Sequence, residues 1–162
     1  MKINTKFSED HASTYTGKRF VDSPHRIRLK ECYEFIKENI SYDRENIIDF
    51  GGESGFLGDF LSKNLKQFKS QRVYDLKHPL VENITTKFFD PDLKTTYLTF
   101  DMNKDSFEIK EVNNKSFIIC SEALEHVGNP AKNSRQLINL ARKSNRSEEH
   151  TSELQSPMYS YA

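Results

Sequence analysis

The chain has 162 residues, which is enough for one domain and too few for two of ordinary size. Lys plus Arg and Asp plus Glu each number 24, so the chain lacks the basic excess typical of proteins that neutralise nucleic-acid phosphates. No apolar run approaches the ~20 residues of a membrane helix, and the polar N-terminus lacks a signal-peptide stretch. We therefore expect a cytoplasmic protein with neither a membrane nor a nucleic-acid partner.

The first features in chain order are a polar arm and a helix. Residues 1–22 are polar and are predicted to form a mobile arm or lid. Ser23 is suited to cap a helix, and Pro24 fits the first helical position, where its missing N–H is not needed. Apolar residues then recur at helical spacing as far as Ile40, which predicts one buried stripe.

Short apolar runs then alternate with helical patterns. Strands are predicted at residues 47–50, 73–75, 97–100 and 117–120, and helices at residues 56–65 and about 130–142. Strands that alternate with helices indicate an α/β fold with a mostly parallel sheet. Right-handed crossovers would place helices on both faces of that sheet, giving three layers.

The most informative stretch is the glycine-rich turn after the first strand, Asp49-Phe50-Gly51-Gly52-Glu53-Ser54-Gly55. Glycines beyond the carboxyl end of a parallel strand let the backbone approach a ligand closely. The dinucleotide fingerprint requires glycine where Glu53 stands, and no Gly-Lys-Ser/Thr follows, as a phosphate loop requires. A carboxylate would also repel a pyrophosphate. The acid before the glycines, Asp49, better suits a cationic ligand, such as a sulfonium beside an amino group.

At this point the chain resembles the class I S-adenosylmethionine-dependent methyltransferases. Their first motif is similar to h-h-D-h-G-x-G-x-G, which Asp49, Gly51 and Gly55 match, with Glu53 in place of the middle glycine. Some members carry D-x-G-G-x-x-G instead, which this chain matches. Residues 120–130, CSEALEHVGNP, closely resemble the C-S-E-V-L-E-H-V-x-N-P segment of many small-molecule methyltransferases.

The resemblance implies a Rossmann-like fold, S-adenosylmethionine as cofactor and methyl transfer to a small-molecule acceptor, at a hydroxyl or carbon. Asp75 resembles the acid that accepts hydrogen bonds from the ribose hydroxyls, and Asp101 with Met102 resembles the residues that hold the adenine. His126 is a candidate catalytic base, because the pKa of histidine lies near neutrality. The complete set of expected cofactor contacts is Asp49, Gly51, Gly52, Gly55, Asp75, Asp101, Met102 and Glu122.

Glu122, Glu125 and His126 allow two interpretations. Their i, i+3, i+4 spacing would place them on one helical face, where they could hold Mg²⁺ or Zn²⁺. They resemble the metal-binding pattern of ubiquinone-pathway O-methyltransferases and of small-RNA 3′-terminal 2′-O-methyltransferases. The interpretation that we favour is that they shape the loop without a metal. Cys32 and Cys120, far apart in sequence, are interpreted as reduced core thiols.

Two other functions remain open. One is a nucleotide- or NAD-binding oxidoreductase domain, which uses the same class of fold. The other is a non-catalytic pseudo-methyltransferase module, which Glu53 at the middle glycine position supports. Preference for NAD over S-adenosylhomocysteine would indicate the first of these.

The composition changes abruptly near Asn145. Residues 146–162 contain no Lys, Ile, Phe or Asn, and residues 146–156, RSEEHTSELQS, resemble the translation of a sequencing-adapter oligonucleotide. We therefore hypothesise that residues 146–162 are artefactual. Residues 23–145 would then form a partial methyltransferase domain with about four of the family's seven strands. We expect such a chain to be marginally stable or inactive, with apolar surface at an open sheet edge.

Overall fold

The computed structural model of the chain describes residues 24–53, 55–76, 90–121 and 123–145. The predicted arm at residues 1–22 and the predicted artefactual tail at residues 146–162 lie outside the described residues. Ser23, the predicted helix cap, and Glu122, a predicted cofactor contact, also lie outside them.

The predicted helices and strands are all present in the described part of the chain. In chain order the elements are α1 (Pro24–Asn39), β1 (Asn46–Phe50), α2 (Phe56–Leu65), β2 (Ser70–Asp75), β3 (Lys94–Thr99), β4 (Ser116–Ile119), a 3-10 turn (Leu124–His126) and α3 (Pro130–Ser144). Both β2 and β3 begin three residues before the predicted positions. Their first halves are polar, so backbone pairing rather than an apolar run defines where they start.

The four strands form one parallel sheet in the order β3-β2-β1-β4. Ile47, Ile48 and Phe50 of β1 are fully buried, as expected for a central parallel strand covered on both faces. From β1 the chain moves outward to β2 and β3, and then returns to the other side of β1 with β4. The strand order therefore reverses between β1 and β4. In open parallel sheets, ligands bind beyond the carboxyl ends of the strands at such a switch point.

Each face of the sheet has its own apolar cluster. On one face, Phe50, Tyr74 and Phe100 pack together with Leu137 and Leu140 of α3. The Phe50 and Tyr74 rings are stacked, with centroids 5.1 Å apart. The cluster on the other face joins β1 and Phe68 to α1 and α2 through Ile36, Ile47 and Leu61. The predicted three-layer α/β, Rossmann-like architecture is therefore confirmed for the described residues.

Two further observations bear on the expectations from composition. Cys32 and Cys120 are both half-buried, and neither forms a disulfide with a described residue. Among the helices that the structure describes, none combines the length and the apolar character needed to traverse a membrane.

Arg44 joins three segments at the amino-terminal edge of the sheet. Its guanidinium donates to the main-chain oxygens of Ser116 (3.3 Å) and Ser144 (3.1 Å), and also to that of Asn114. It further donates to the side-chain oxygen of Asn145. The Arg44 side chain is only 15% exposed. A single cation therefore holds β4 and the carboxyl end of α3 beside the start of β1, where the partial negative charge of a helix terminus favours it.

Glu45 continues these contacts along the same edge. Its two carboxylate oxygens pair with Lys69 (2.8 Å) before β2 and with Lys115 (3.2 Å) before β4. These two lysines, Lys69 first, lower the pKa of Glu45. The Ser70 hydroxyl also donates to the Asn46 side chain at 2.7 Å, so β1 and β2 are joined at their first residues.

Candidate ligand-binding site

A cavity of about 390 Å³ opens at the carboxyl end of the sheet. This volume lies within the range of ~300–1,000 Å³ that is common for small-molecule sites. The segments that follow all four strands contribute to its walls, and so do α1 and the start of α2. Six of the eight expected cofactor contacts line it, namely Asp49, Gly51, Gly52, Asp75, Asp101 and Met102, and His126 lines it as well.

Gly55 is placed differently from those six. It is not one of the described residues that line the cavity, and its φ of 76° puts it in the left-handed region that favours glycine. An added Cβ would lie 2.3 Å from Nε2 of Gln71, which donates to the Gly55 carbonyl at 3.0 Å. Gly55 thus makes the close contact between the start of α2 and β2. Its expected contact with the cofactor, like that of Glu122, stays a prediction.

Asp49 is a buried carboxylate in the cavity wall. It is only 2% exposed, and its Oδ2 accepts no hydrogen bond from any described residue. A Cβ on Gly52 would lie 2.3 Å from that oxygen, so only glycine leaves room for the carboxylate. Burial, and after it the charge of Asp75, raises the pKa of Asp49 to about 7. A buried charge without a partner is unfavourable, so the protonated form of this carboxyl group is favoured more than in an ordinary aspartic acid.

Asp75 ends β2 and is held in place by main-chain donors. The Glu53 N–H donates to its Oδ2 at 2.7 Å, and the Leu76 N–H donates to its Oδ1 at 2.6 Å. A carboxylate has about four acceptor positions, so each oxygen can still accept from a ligand hydroxyl. The contacts fix the orientation of the group toward the cavity that it lines.

Glu53 is a functional feature that the sequence interpretation missed. Its φ of 48° lies in the left-handed region, although it carries a side chain. This backbone conformation directs its N–H to Asp75. The signal was available, because a motif that prefers glycine at this position indicates a positive φ there.

Asp101 mainly organises the turn after β3. Its carboxylate pairs with Lys104 at 2.9 Å and accepts from the Asn103 N–H at 2.9 Å. These two contacts, Lys104 first, lower the pKa of Asp101. Met102 is half-buried, packs against the Phe50 cluster and lines the cavity. Of the two residues expected to hold an adenine, Met102 therefore offers the apolar surface, while the Asp101 carboxylate is already paired.

Asn103 joins two walls of the cavity, a contact that sequence spacing did not indicate. Its Oδ1 accepts from the Gly128 N–H at 2.7 Å, which ties the turn after β3 to the segment after β4. That second segment also carries His126, whose side chain is exposed and whose N–H donates to the Ala123 carbonyl at 3.1 Å. Beyond it, Asn129 caps α3 by accepting from the Lys132 N–H at 3.0 Å.

The expected metal alternative concerns Glu122, Glu125 and His126. The structure forms a single 3-10 turn at Leu124–His126, and Glu122 lies outside the described residues. In the described ranges, no group of three His, Cys, Asp or Glu side chains is arranged to hold a metal ion. Whether the three residues bind a metal therefore stays a prediction.

Cys120 lies close to the Asp49 carboxylate at the end of β4. Burial, and after it the charges of Asp49 and Glu125, raises the pKa of the Cys120 thiol to about 12. The thiol therefore stays protonated at neutral pH, and it lacks the thiolate character of a nucleophilic cysteine.

The cavity as a whole is acidic. Its described lining includes Asp49, Glu53, Asp75 and Asp101, and it includes no Lys or Arg. Carboxylates grouped in a cleft produce a negative potential that attracts cations and repels phosphates. A pyrophosphate-containing dinucleotide is therefore disfavoured, whereas a cationic ligand with hydroxyl donors is favoured.

Comparison with known proteins gives neighbours in structure only. No family model matches the chain, and no curated protein matches it. It is similar to the S-adenosylmethionine-dependent methyltransferase SibL in its apo form, with 13% identity and a TM-score of 0.48 over 82% of this chain and 42% of that one. It is also similar to human N-acetylserotonin methyltransferase in complex with SAM, with 15% identity and a TM-score of 0.44 over 72% of this chain and 33% of that one.

A third neighbour is an O-methyltransferase family protein from Burkholderia thailandensis, with 11% identity and a TM-score of 0.43 over 79% of this chain and 41% of that one. The chain thus spans less than half the length of each of these three proteins. At such identities function has to be inferred from the site itself. The sheet and the cavity define a Rossmann-like α/β protein with an acidic cavity at the carboxyl end of its sheet.

Proposed function

We propose that the protein binds S-adenosylmethionine and takes part in methyl transfer. The observation that carries this proposal is the cavity itself, whose described lining includes four carboxylates, one of them the buried Asp49, and no Lys or Arg. A sulfonium nucleoside would supply the missing positive charge, and its ribose would supply hydroxyl donors. The pyrophosphate of NAD would instead add negative charge beside these acids.

Four of the lining residues then have proposed roles. Asp75, oriented by two main-chain donors, accepts from the ribose hydroxyls, and Met102 provides apolar surface for the adenine. Gly52 lets the loop lie against Asp49, and Gly51 lets it lie against Ala123, in the wall of the proposed ligand site. The cofactor supplies an activated methyl carbon, so the task of the protein is chiefly to align donor and acceptor.

The second part of the proposal concerns the methyl acceptor. The resemblance of residues 120–130 to small-molecule methyltransferases supports a small acceptor with a hydroxyl or carbon nucleophile. His126, exposed at the cavity wall, is the proposed base that removes the acceptor proton. We also retain the proposals that the protein is cytoplasmic, that residues 23–145 form a partial methyltransferase domain, and that the chain as given is marginally stable or inactive.

Calorimetric titration with S-adenosylhomocysteine and with NAD tests the proposal. S-adenosylhomocysteine should bind about tenfold more tightly than NAD, or better, because only NAD brings phosphates to the acidic cavity. Asp75→Ala should weaken S-adenosylhomocysteine binding by about tenfold, the loss expected for hydrogen bonds to a charged acceptor. The control is Glu38→Ala, which removes an exposed carboxylate of α1 away from the cavity lining and should leave the affinity unchanged.

Two outcomes would overturn the assignment. Tighter binding of NAD would favour the oxidoreductase alternative. Binding of neither ligand by a folded chain would favour a non-catalytic module, the alternative that Glu53 at the middle glycine position supports.

A further inference from the structure

The outer face of α3 carries positive charge alone. The helix contains four basic residues and no acidic one, and all four are exposed: Lys132, Arg135, Arg142 and Lys143. By contrast, α1 contains both acidic and basic residues. Since the whole chain has a formal charge of zero, α3 concentrates cations that are balanced elsewhere in the sequence.

Ile138 lies in the middle of this positive face. Leu137 and Leu140 pack against the sheet, so the residues on the opposite side of α3 face solvent, and Ile138 is 42% exposed. Arg135 comes three residues before it and Arg142 four residues after it, and such spacings make neighbours on a helix surface. An apolar side chain flanked by charged ones has the pattern of a protein interface, with an apolar centre and a polar rim.

The four cations have no carboxylate partner in the part of the chain that the structure describes, since none of its ion pairs involves them. The Nε of Arg135 donates to the Ala131 carbonyl at 3.3 Å, within the same helix. Residues 107–112 pack against the same apolar cluster as α3 and contribute the exposed Glu108 and Glu111, yet neither of these forms an ion pair with α3. No described residue therefore supplies the complementary negative charge.

We propose that the outer face of α3 docks an acidic amphipathic segment of a partner protein. Carboxylates of the segment pair with the four cations, and an apolar side chain of the segment covers Ile138. A helix of 15 residues is about 22 Å long, so the surface is small and fits a weak, transient contact. The inference does not depend on the proposed function, because α3 contributes no residue to the described lining of the cavity.

The exposed isoleucine distinguishes this partner from other anionic macromolecules. A nucleic-acid backbone would pair with the cations and leave Ile138 uncovered. An anionic membrane surface is bound by helices that insert a broad apolar face, whereas the apolar stripe of α3, with Leu137 and Leu140, is already buried against the sheet. An acidic amphipathic segment matches both the charge and the apolar centre.

Binding of a model peptide by the unmodified chain is the first test. The probe is a labelled synthetic helical peptide of about 18 residues, in which glutamates flank a stripe of leucines. Fluorescence anisotropy in 50 mM NaCl should give a dissociation constant of about 10–100 µM. Affinity should fall by about tenfold in 500 mM NaCl, because salt screens exposed charges. A matched peptide with glutamine in place of each glutamate should also bind about tenfold more weakly.

Substitutions on the helix surface are the second test. Arg135→Gln combined with Arg142→Gln should weaken peptide binding by about tenfold, and Ile138→Ser should weaken it by about threefold. The control is Lys30→Gln combined with Lys37→Gln, which removes two exposed cations at the same spacing from α1 and should keep the affinity. Because all these positions are exposed, circular dichroism should show unchanged folding.

Four outcomes would overturn the inference and leave the proposed function standing. The first is no binding of the acidic peptide by the folded, unmodified chain in 50 mM NaCl. The second is an equal loss of affinity in the α1 and α3 variants, which would indicate charge attraction without a defined surface. The third is full affinity in Ile138→Ser. The fourth is tighter binding of polyuridylic acid than of the peptide, which would indicate a phosphate backbone as the partner.

Discussion

The two edges of the sheet are built from the same four strands and differ in how their polar groups are paired. At the amino-terminal edge, Arg44 donates to several main-chain oxygens, and Glu45 lies between two lysines. At the carboxyl edge, Asp49 has an oxygen without a partner and Glu53 has a positive φ. In these residues the amino-terminal edge carries paired charges that stabilise the fold, whereas the carboxyl edge carries a buried carboxylate and a strained backbone position beside the cavity.

The largest effect should come from removing the unfavourable charge at the carboxyl edge. Folding raises the pKa of Asp49 from 3.8 to about 7, so its protonated form is favoured in the folded state. Its contribution to stability is then present at low pH and is lost as the pH rises from about 4 to about 7. Asp49→Asn should raise the free energy of unfolding at pH 8 by up to roughly 4 kcal/mol, and by much less at pH 5.

Urea unfolding of the Asp49→Asn and unmodified chains at both pH values measures that difference. The unmodified chain serves as the reference for the carboxylates that do not interact with Asp49. A gain of the same size at pH 5 and pH 8 would contradict the explanation from buried charge.

The next largest effect should come from breaking the amino-terminal edge. Arg44→Met keeps most of the buried volume and leaves the main-chain oxygens of Ser116 and Ser144 without their donor. We expect a loss of about 2–3 kcal/mol in the free energy of unfolding. The stability of Arg44→Lys should lie between those of the unmodified chain and Arg44→Met, because one ammonium group cannot make all the hydrogen bonds of a planar guanidinium. Calorimetric affinity for S-adenosylhomocysteine should stay unchanged, and a marked loss of affinity would show that the two edges are coupled.

A smaller effect on stability is expected where a residue other than glycine has a positive φ. Glu53 and Lys66 are the two described non-glycine residues with positive φ, at 48° and 54°, and only Glu53 lines the cavity. Glycine at either position removes the Cβ contact and should stabilise the fold by about 1 kcal/mol, or about 3 °C in melting temperature. Glu53→Gly also retains the N–H that holds Asp75. Stabilisation by Lys66→Gly together with destabilisation by Glu53→Gly would indicate that the Glu53 carboxylate itself contributes to the site.

The smallest effect is expected at Glu45. Its pKa is lowered by Lys69 first and then by Lys115, so its contribution to stability exists above its ordinary value of 4.5 and is lost as the pH falls below it. Glu45→Gln should lower the melting temperature slightly at pH 7 and low salt. Because the pairs are exposed, the difference should vanish in 0.5 M NaCl or near pH 3. A difference that persists in high salt would argue for a contribution other than charge pairing.

The sequence was sufficient for the elements whose residues are apolar and buried. Ile47, Ile48 and Phe50 form an apolar run typical of a strand that is buried on both faces of a sheet. The apolar spacing of residues 56–65 predicted both ends of α2 correctly. It was insufficient for the polar starts of β2 and β3. Gln71 shows why, since it is fully buried although its side chain gives no apolar signal.

Some features of the candidate site could also be predicted from the sequence, and others could not. Asp49 and Asp75 lie at the carboxyl ends of β1 and β2, and Asp101 follows β3. Because the carboxyl ends of parallel strands lie at one edge of the sheet, their meeting in one cavity could be predicted. The pairing of Asp101 with Lys104 and the packing of Gly55 on Gln71 depend on loop geometry and on contacts between elements. Periodicity and motif spacing contain no information about such contacts.

The hydrogen bond from Gly128 to the Asn103 side chain has a mechanical consequence. Because it connects two opposing loops, displacement of either one pulls the other along. The two walls of the cavity are thus linked through a single side-chain amide, and a substitution at Asn103 would release the segment that carries His126.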